Sequence, residues 1–265
     1  MIGCVEKRPK GREHTLQPQT VVSLSIHYRK LRQKPVQTRV YANANVGRAK
    51  GVTECTGDQF FVLIRADWGF TCAWPPETRE ILDWQWNEKL LPYWEKLAAF
   101  GKEHGIKSFC IEMHGHQLVY NVPTLLKLRQ ATGPIVGANL DPSHLFWMGA
   151  DPLAAIEALG DAILHVHAKD TYFNDGALNL TGRLETIGHE NVKDRAWSYI
   201  TLGIGHGEQW WRRFCYRLRV NGYDGWLSIE HEDIILSRME GMRRSVDLLK
   251  SALAGEPSDY ALPAT

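Results

Sequence analysis

Short apolar runs alternate with stretches of helical spacing between residues 90 and 253. Four of these runs are predicted strands: Ser108–Ile111, Ile135–Leu140, Ile163–Val166 and Trp226–Ile229. The helices between and after them are predicted to begin at Pro92, at Asn121, at Asp151, near Glu208 and at a capping box of Ser237 with Glu240. Strands and helices that alternate in this way favour an α/β fold, in which βα units surround a parallel sheet.

Residues 1–58 lack this alternation and are expected to be mostly loop, with one short strand at Val21–Ile26. A second early strand is predicted at Phe60–Ile64. A complete (β/α)8 barrel needs ~250 residues, so its first four units do not fit before residue 90. We therefore expect a barrel that is incomplete or irregular in its N-terminal half, where it is truncated or altered by a shifted reading frame. The predicted division is an irregular basic segment (1–58), a barrel-like catalytic domain (59–255) and a tail (256–265).

Composition and charge narrow the class of protein. The 265 residues include 31 Lys and Arg against 30 Asp and Glu, and no apolar run reaches the ~20 residues that a membrane helix needs. Residues 1–50 carry 11 basic and two acidic side chains, which leaves a nucleic-acid-binding arm as a disfavoured alternative. Five widely spaced cysteines favour neither a disulfide framework nor a zinc module. Because the N-terminus is charged where a signal peptide is apolar, we expect a cytoplasmic protein.

A potential metal ligand follows each of the four predicted strands: Glu112, Asp141, His167 and Glu230. In a βα barrel the carboxyl ends of the strands meet on one face, so these side chains are expected to lie together. Three carboxylates and one imidazole form a mostly oxygen ligand set, which suits Mn²⁺, Mg²⁺ or Co²⁺. Each acid taken singly is equally well explained by a helix cap or an ion pair. Their coincidence in four successive units is what predicts a metal site.

The segments IEMHGHQLVYN, GANLDPSHLFWMGADP, ILHVHAKD and GYDGWLSIEHED resemble, in order and spacing, the xylose-isomerase-like TIM-barrel family. That family includes sugar isomerases and epimerases, inosose dehydratases and apurinic endonucleases. The resemblance covers residues 72–250 and implies a (β/α)8 TIM barrel. It also implies one divalent ion, Mn²⁺ before Co²⁺ or Mg²⁺, held by Glu112, Asp141, His167 and Glu230. Of these, Glu112 and Glu230 are the implied acid/base pair, which moves a proton at the carbon next to a carbonyl.

Four further side chains are candidates for contact with the substrate: His114, His144, Trp147 and Lys169. His144 follows Asp141 by three residues, and its alternative role is that of a histidine bonding the backbone at a helix start. Lys169 ends the HVHAKD motif, and its alternative role is an ion pair with Asp170 or Glu232. The expected substrate is a small sugar or sugar derivative.

The residues leave the reaction open. A sugar isomerase or epimerase is the first hypothesis, and a lyase or dehydratase acting on a keto-sugar or keto-glycoside is the alternative, since both reactions begin with the same proton abstraction. An inactive barrel fragment is a further alternative, because relatives often carry Arg where this chain has Ile200. An apurinic endonuclease is disfavoured, because its zinc cluster needs early histidines and His14 and His27 lie in no motif. We expect no membrane or nucleic-acid partner, and homo-oligomerisation stays open.

Overall fold

The computed structural model describes residues 75–256 and 259–260, together with the backbone of four earlier strands. Those strands are β1 (Val22–His27), β2 (Arg39–Ala42), β3 (Val52–Thr56) and β4 (Gln59–Val62). The later strands are β5 (Ser108–Glu112), β6 (Val136–Leu140), β7 (Ile163–Ala168), β8 (Asp170–Phe173), β9 (Trp197–Ile200) and β10 (Trp226–His231). The α-helices are α1 (Glu77–Trp84), α2 (Leu91–Glu103), α3 (Val122–Thr132), α4 (Pro142–Met148), α5 (Pro152–Leu159), α6 (Asp175–Thr181), α7 (Glu208–Val220) and α8 (Arg238–Ala252).

Five parallel strands form the centre of the main sheet, in the order β10-β7-β6-β5-β4. Three further strands pair with it in antiparallel fashion: β1 lies beside β10, β2 beside β1, and β3 beside β4. The barrel of this fold class contains only parallel strands, so these additions make the N-terminal half irregular, as predicted. In the described part of the chain the five parallel strands form a half-barrel. The edge strands of the whole sheet are β2 and β3.

The predicted strands and most of the predicted helix starts are confirmed. The Asn121 side chain accepts a hydrogen bond from the Thr124 N–H at 3.1 Å, and a reciprocal bond completes a capping box for α3. Asp151 caps α5 in the same way through the Leu153 N–H at 2.9 Å. The backbone at Gly133 has φ +84° just beyond α3, a conformation that glycine adopts without steric cost. Local capping chemistry therefore fixes where the βα units begin and end.

The prediction that Pro92 opens a helix is confirmed for α2, which begins at Leu91 with Pro92 in its first turn, but two further helical stretches that were not predicted come directly before it. The helical run begins at Glu77, and Pro92 lies inside it, directly after a π-helical stretch at Gln85–Leu90. There the Leu91 N–H bonds to the Trp86 carbonyl five residues back. Proline lacks an N–H and clashes with the carbonyl four residues before it, and a wider π turn is one way in which a continuous helix accommodates that defect.

Three expectations need correction. The connection 170–206, for which no helix or strand was predicted, contains helix α6 and the two strands β8 and β9, which pair in antiparallel fashion. Ser237 does cap α8 through the Glu240 N–H, but the Glu240 carboxylate pairs with Arg244 at 2.6 Å, so its half of the capping box is replaced by an ion pair. Residues 1–58 contain three strands, β1, β2 and β3, where one short strand was expected.

The core lies between the parallel strands and the helices that follow them. Its fully buried members include Leu125 of α3, Ile156 of α5, Val166 of β7 and Phe214 of α7. Cys110 and Cys215 are buried free thiols. Across the described residues, every helix falls short of the length and apolar character that a membrane span requires.

Candidate metal centre

The four predicted ligands converge at the carboxyl ends of four parallel strands. Glu112 ends β5, Asp141 follows β6, His167 lies near the end of β7, and Glu230 lies near the end of β10. One ligand atom from each of them lies within 4.8 Å of the ligand atoms of the other three. The sheet order β10-β7-β6-β5 explains this convergence, because it places the four strands side by side.

His167 lies at the middle of the cluster. Its Nδ1 atom is 3.0 Å from Glu112 Oε1, 3.3 Å from Glu230 Oε1 and 3.9 Å from Asp141 Oδ2. The Asn139 amide nitrogen lies 3.2 Å from Nδ1 and 3.1 Å from the other ring nitrogen, Nε2. One imidazole nitrogen therefore faces all three carboxylates, while a neighbouring side chain from β6 contacts the ring between its two nitrogens.

Asp141 shows that the residues fit a bound cation. Its Oδ1 atom accepts a hydrogen bond from the Ser143 N–H at 2.8 Å and so caps α4. Its Oδ2 atom is fully buried and accepts no hydrogen bond from any described residue. A buried carboxylate oxygen without a donor is costly. Because Oδ2 points towards His167 and Lys169, a divalent ion held by the cluster would satisfy it.

The charges of the cluster are strongly interdependent. Although burial disfavours a charged imidazole, the carboxylates of Glu230 and Glu112 raise the pKa of His167 to about 10. Burial raises the pKa of Glu230 to about 7, against the opposing charges of His167 and Lys169. Burial acts in the same direction on Glu112, but hydrogen bonds from His144 and His167 outweigh it and hold the pKa of that carboxyl well below its ordinary value. Two carboxylates of the same type thus differ in their tendency to hold a proton.

Lys169 is buried beside the ligands. Its ammonium lies 2.9 Å from Glu232 Oε1 and 3.1 Å from Glu230 Oε2. The predicted alternative partner, Asp170, is engaged elsewhere, since it accepts bonds from the backbone N–H groups of Gly203 and His206. The ion pair with Glu232 is therefore present, and contact between Lys169 and a substrate stays a prediction.

His144 and His114 lie against the same cluster. The Nε2 atom of His144 is 3.5 Å from both Glu112 Oε1 and Asp141 Oδ2, and its Nδ1 atom is 2.9 Å from the hydroxyl of Tyr199. The ring of His114 packs on that of His144 with centroids 4.2 Å apart. Burial lowers the pKa of His114 to about 4, so this ring is neutral near pH 7. Both histidines are within reach of a molecule bound at the centre.

Trp147 closes the cluster on one side. Its ring stacks flat on Trp197, with centroids 4.8 Å apart and planes 3° apart, and lies 6.3 Å from the ring of His114. Gly115 is required for this packing, because a Cβ atom at that position would overlap the indole of Trp147. The predicted aromatic face is therefore held rigidly beside the centre.

Sequence reasoning missed two residues of this region. Tyr199 reaches His144 from β9, and the ammonium of Lys169 lies 4.1 Å from the centroid of its ring. Asn139 contacts His167 from β6. No short-range pattern marks either residue, because each acts through a neighbour that is distant in sequence. The spacing GANLD offered one signal for Asn139, since by strand alternation it shares a face with Asp141.

Comparison with known proteins agrees with this geometry. The family model described as Xylose isomerase-like TIM barrel matches residues 12–252. The uncharacterized protein YfiH of Bacillus subtilis (strain 168) is 43% identical over 185 residues, which is 70% of this chain and 59% of YfiH. This chain therefore spans about three fifths of the length of that curated relative.

Solved structures of low sequence identity are similar to this chain. A structure of the IOLI protein with a bound zinc atom has a TM-score of 0.50 and 14% identity, covering 73% of this chain and 62% of that one. A xylose isomerase domain protein from Planctomyces limnophilus has a TM-score of 0.46 and 16% identity, covering 72% of this chain and 59% of that one. From the family model and the arrangement of the parallel strands, this chain belongs to the Xylose isomerase-like TIM barrel family.

Proposed function

We propose that this chain is a divalent-metal-dependent sugar isomerase or epimerase, which abstracts a proton next to the carbonyl of a keto-sugar or a sugar derivative. One observation carries the proposal: three carboxylates and an imidazole converge within 4.8 Å, and one buried carboxylate oxygen among them lacks a hydrogen-bond donor. The oxygen-rich ligand set favours Mn²⁺, with Co²⁺ or Mg²⁺ as alternatives. A divalent ion supplies positive charge that polarises a carbonyl oxygen and stabilises negative charge that develops beside it.

Glu112 and Glu230 are the proposed acid/base pair. They belong to β5 and β10, between which β6 and β7 lie in the sheet, so they approach the centre from separated strands. Glu112 stays ionised through its contacts with His144 and His167, as a base must. The Lys169 ammonium holds Glu230 in place at 3.1 Å. In this arrangement one carboxylate removes the proton, and the other returns a proton. Return to the neighbouring carbon gives isomerisation, and return to the opposite face of the same carbon gives epimerisation.

Two further side chains shape the space above the ligands. His144 presents Nε2 towards Glu112 and Asp141, where it can donate a hydrogen bond to a substrate oxygen. Trp147 forms a rigid wall of this space, because it is only 5% exposed with Trp197 stacked on its ring, and an edge of the indole can contact a sugar. These roles extend the site from metal binding to orientation of the substrate.

The first test is elemental analysis of the purified protein after dialysis against a mixture of Mn²⁺, Co²⁺, Mg²⁺ and Zn²⁺. We expect about one equivalent of bound divalent ion per chain, because the described residues contain one such four-residue ligand set. A Glu112→Gln/Glu230→Gln double variant should lose it. Glu232→Gln removes a nearby carboxylate that is not among the four ligands, and this matched control should retain the metal.

The second test is proton exchange. A panel of keto-sugars incubated with metal-loaded protein in D₂O should exchange the C–H next to the carbonyl, as read by proton NMR. Because isomerases and lyases share this step, the final products distinguish the two reactions. The single variants Glu112→Gln and Glu230→Gln should each slow this proton exchange by roughly 10²–10⁴-fold. A folded wild-type sample that binds no metal and exchanges no substrate would refute the proposal and favour an inactive barrel.

A further inference from the structure

A cavity of 320 Å³ lies near the candidate metal centre. It is formed by the loop that follows β5, by α4 with its C-terminal end, and by the loop that follows α6. Its lining residues are Gly115, His116, Tyr120, Asn121, Leu145, Trp147, Met148, Ala150, Arg183 and Leu184. Because the first two of these segments follow β5 and β6, the cavity lies at the carboxyl ends of the strands, as the four ligands do.

Trp147 lies between the cavity and the centre. The indole lines the cavity and also lies 6.3 Å from the ring of His114, which packs on His144. His116 lies over the same indole, with ring centroids 6.2 Å apart and planes 25° apart. Its backbone has φ +63°, the one positive value at a described residue other than glycine. Residues other than glycine that are held at a positive φ occur preferentially at functional sites.

The lining favours an apolar ligand group over a charged one. Leu184 is 64% exposed and Tyr120 is 42% exposed at the rim, an arrangement of apolar side chains that calls for a partner. Arg183 is the single Lys or Arg among the lining residues. Its guanidinium donates to the Phe146 carbonyl at 2.9 Å and lies 5.1 Å from the Phe173 ring centroid, so it is already engaged. A phosphate group would find little compensating charge here.

We propose that this cavity is a subsite for an apolar, preferably planar, group attached to the sugar, so that the substrate is a glycoside-like derivative and not a free sugar or a sugar phosphate. The inference rests on the proposed function, because it places the sugar at the four-ligand centre. Binding of the non-reacting group on the far side of Trp147 would orient the sugar over Glu112 and Glu230. Such remote contacts contribute to catalysis when they fix the reacting atoms.

Isothermal titration calorimetry with three probes tests the subsite. Phenyl β-glucoside should bind at least tenfold more tightly than methyl β-glucoside, and glucose 6-phosphate should gain nothing over methyl β-glucoside. Ala150→Trp places a bulky ring in the cavity and should abolish the phenyl preference. Leu184→Ser removes an apolar rim side chain without disturbing the core and should reduce the preference severalfold. Leu180→Ser is the matched control, because Leu180 is 87% exposed and does not line the cavity.

The same titrations are repeated with the Glu112→Gln/Glu230→Gln protein, so that the subsite and the function fail separately. A phenyl preference that survives in this variant but disappears in Ala150→Trp supports the subsite even if no metal is found. Equal binding of the two glucosides, binding of neither, or tighter binding of the phosphate would overturn the proposal. An equal loss of the preference for phenyl β-glucoside in Leu180→Ser and Leu184→Ser would also overturn the proposal, whatever the metal content of the protein.

Discussion

The hydroxyl of Tyr199 lies 2.9 Å from Nδ1 of His144, and this contact determines which nitrogen of that histidine faces the metal ligands. The other ring nitrogen, Nε2, faces two carboxylate oxygens, which favour a proton on Nε2, so the hydroxyl of Tyr199 donates its hydrogen bond to Nδ1. The imidazole then carries its own proton on Nε2, which lies 3.5 Å from Glu112 Oε1 and from Asp141 Oδ2. A residue outside the ligand set thus selects the tautomer of one that touches it.

Tyr199→Phe is expected to release this selection. Without the phenolic proton, Nδ1 of His144 loses its donor, and the neutral ring should populate both tautomers, at a cost of about 1 kcal/mol in the free energy of unfolding. Nitrogen-15 NMR of histidine-labelled protein measures the tautomer directly, with the His144 signals assigned by their absence in His144→Gln. Tyr172→Phe, on the neighbouring strand β8, is the control. Unchanged His144 nitrogen shifts in Tyr199→Phe would contradict the assignment.

The loop between β9 and α7 is held by close backbone packing at Gly205. A Cβ atom at this position would overlap the carbonyl oxygen of Thr171 and approach Asp170 Oδ1. We therefore expect Gly205→Ala to lower the free energy of unfolding by about 1–3 kcal/mol, since the backbone cannot move aside without breaking the Asp170 contacts. Gly207→Ala meets nothing within 4 Å and is the matched control. Urea denaturation of both variants makes the comparison, and equal midpoints would show that the loop tolerates the extra atom.

The ligand positions were predictable from sequence because each depends on local order. Glu112 and Asp141 come directly at the end of an apolar run, and a parallel sheet necessarily gathers such positions at one edge. The helix starts at Asn121 and Asp151 were predictable for a similar reason, since an N-cap acts within three residues. At these sites, the residues that determine the structure are close to one another in the sequence as well as in space.

The surroundings of the ligands were not predictable in this way. Tyr199 meets His144 only because β8 and β9 pair in antiparallel fashion beyond the main sheet, and at one end this pairing joins Asp170 with Ile200, 30 residues further along the chain. Pro92 marked the start of α2 correctly, but no local signal indicated the α-helical and π-helical stretches that precede it. Contacts of this kind depend on packing between segments, which a single sequence does not reveal.

Asp233 is expected to give the protein an acid-sensitive turn. Its Oδ2 accepts from the Thr201 N–H and hydroxyl at 3.1 and 2.7 Å, and its Oδ1 accepts from the Ile235 and Leu236 N–H groups. Burial opposes ionisation, but these hydrogen bonds lower the pKa of the carboxyl below its ordinary value. A group with a lowered folded pKa contributes stability above its unfolded pKa of about 3.9, and that stability is lost as the pH falls through the folded value.

Asp233→Asn replaces one acceptor oxygen with a donor that opposes the Thr201 or the Ile235 N–H. The free energy of unfolding at pH 7 should fall by about 2 kcal/mol. The difference from wild type should shrink below about pH 4, because the wild-type carboxylate is then being protonated. Chemical denaturation between pH 2 and pH 7 measures this, with exposed Asp224→Asn as the control. A difference that stays constant over the whole range would indicate that the charge of Asp233 does not contribute.

Binding of a divalent ion at the four ligands should stabilise the folded chain. An ion that binds only the folded state raises the free energy of unfolding by about 2.7 kcal/mol at 100 times its Kd. For a protein of this size the melting temperature should rise by roughly 2–4 °C for each kcal/mol. Thermal denaturation with increasing Mn²⁺, and again after chelation with EDTA, should show this rise and its reversal. The rise should vanish in Glu112→Gln/Glu230→Gln and persist in Glu232→Gln, because only the former removes ligands. The same rise in the double variant would place the ion elsewhere on the protein, and Asp141 Oδ2 would then need another partner.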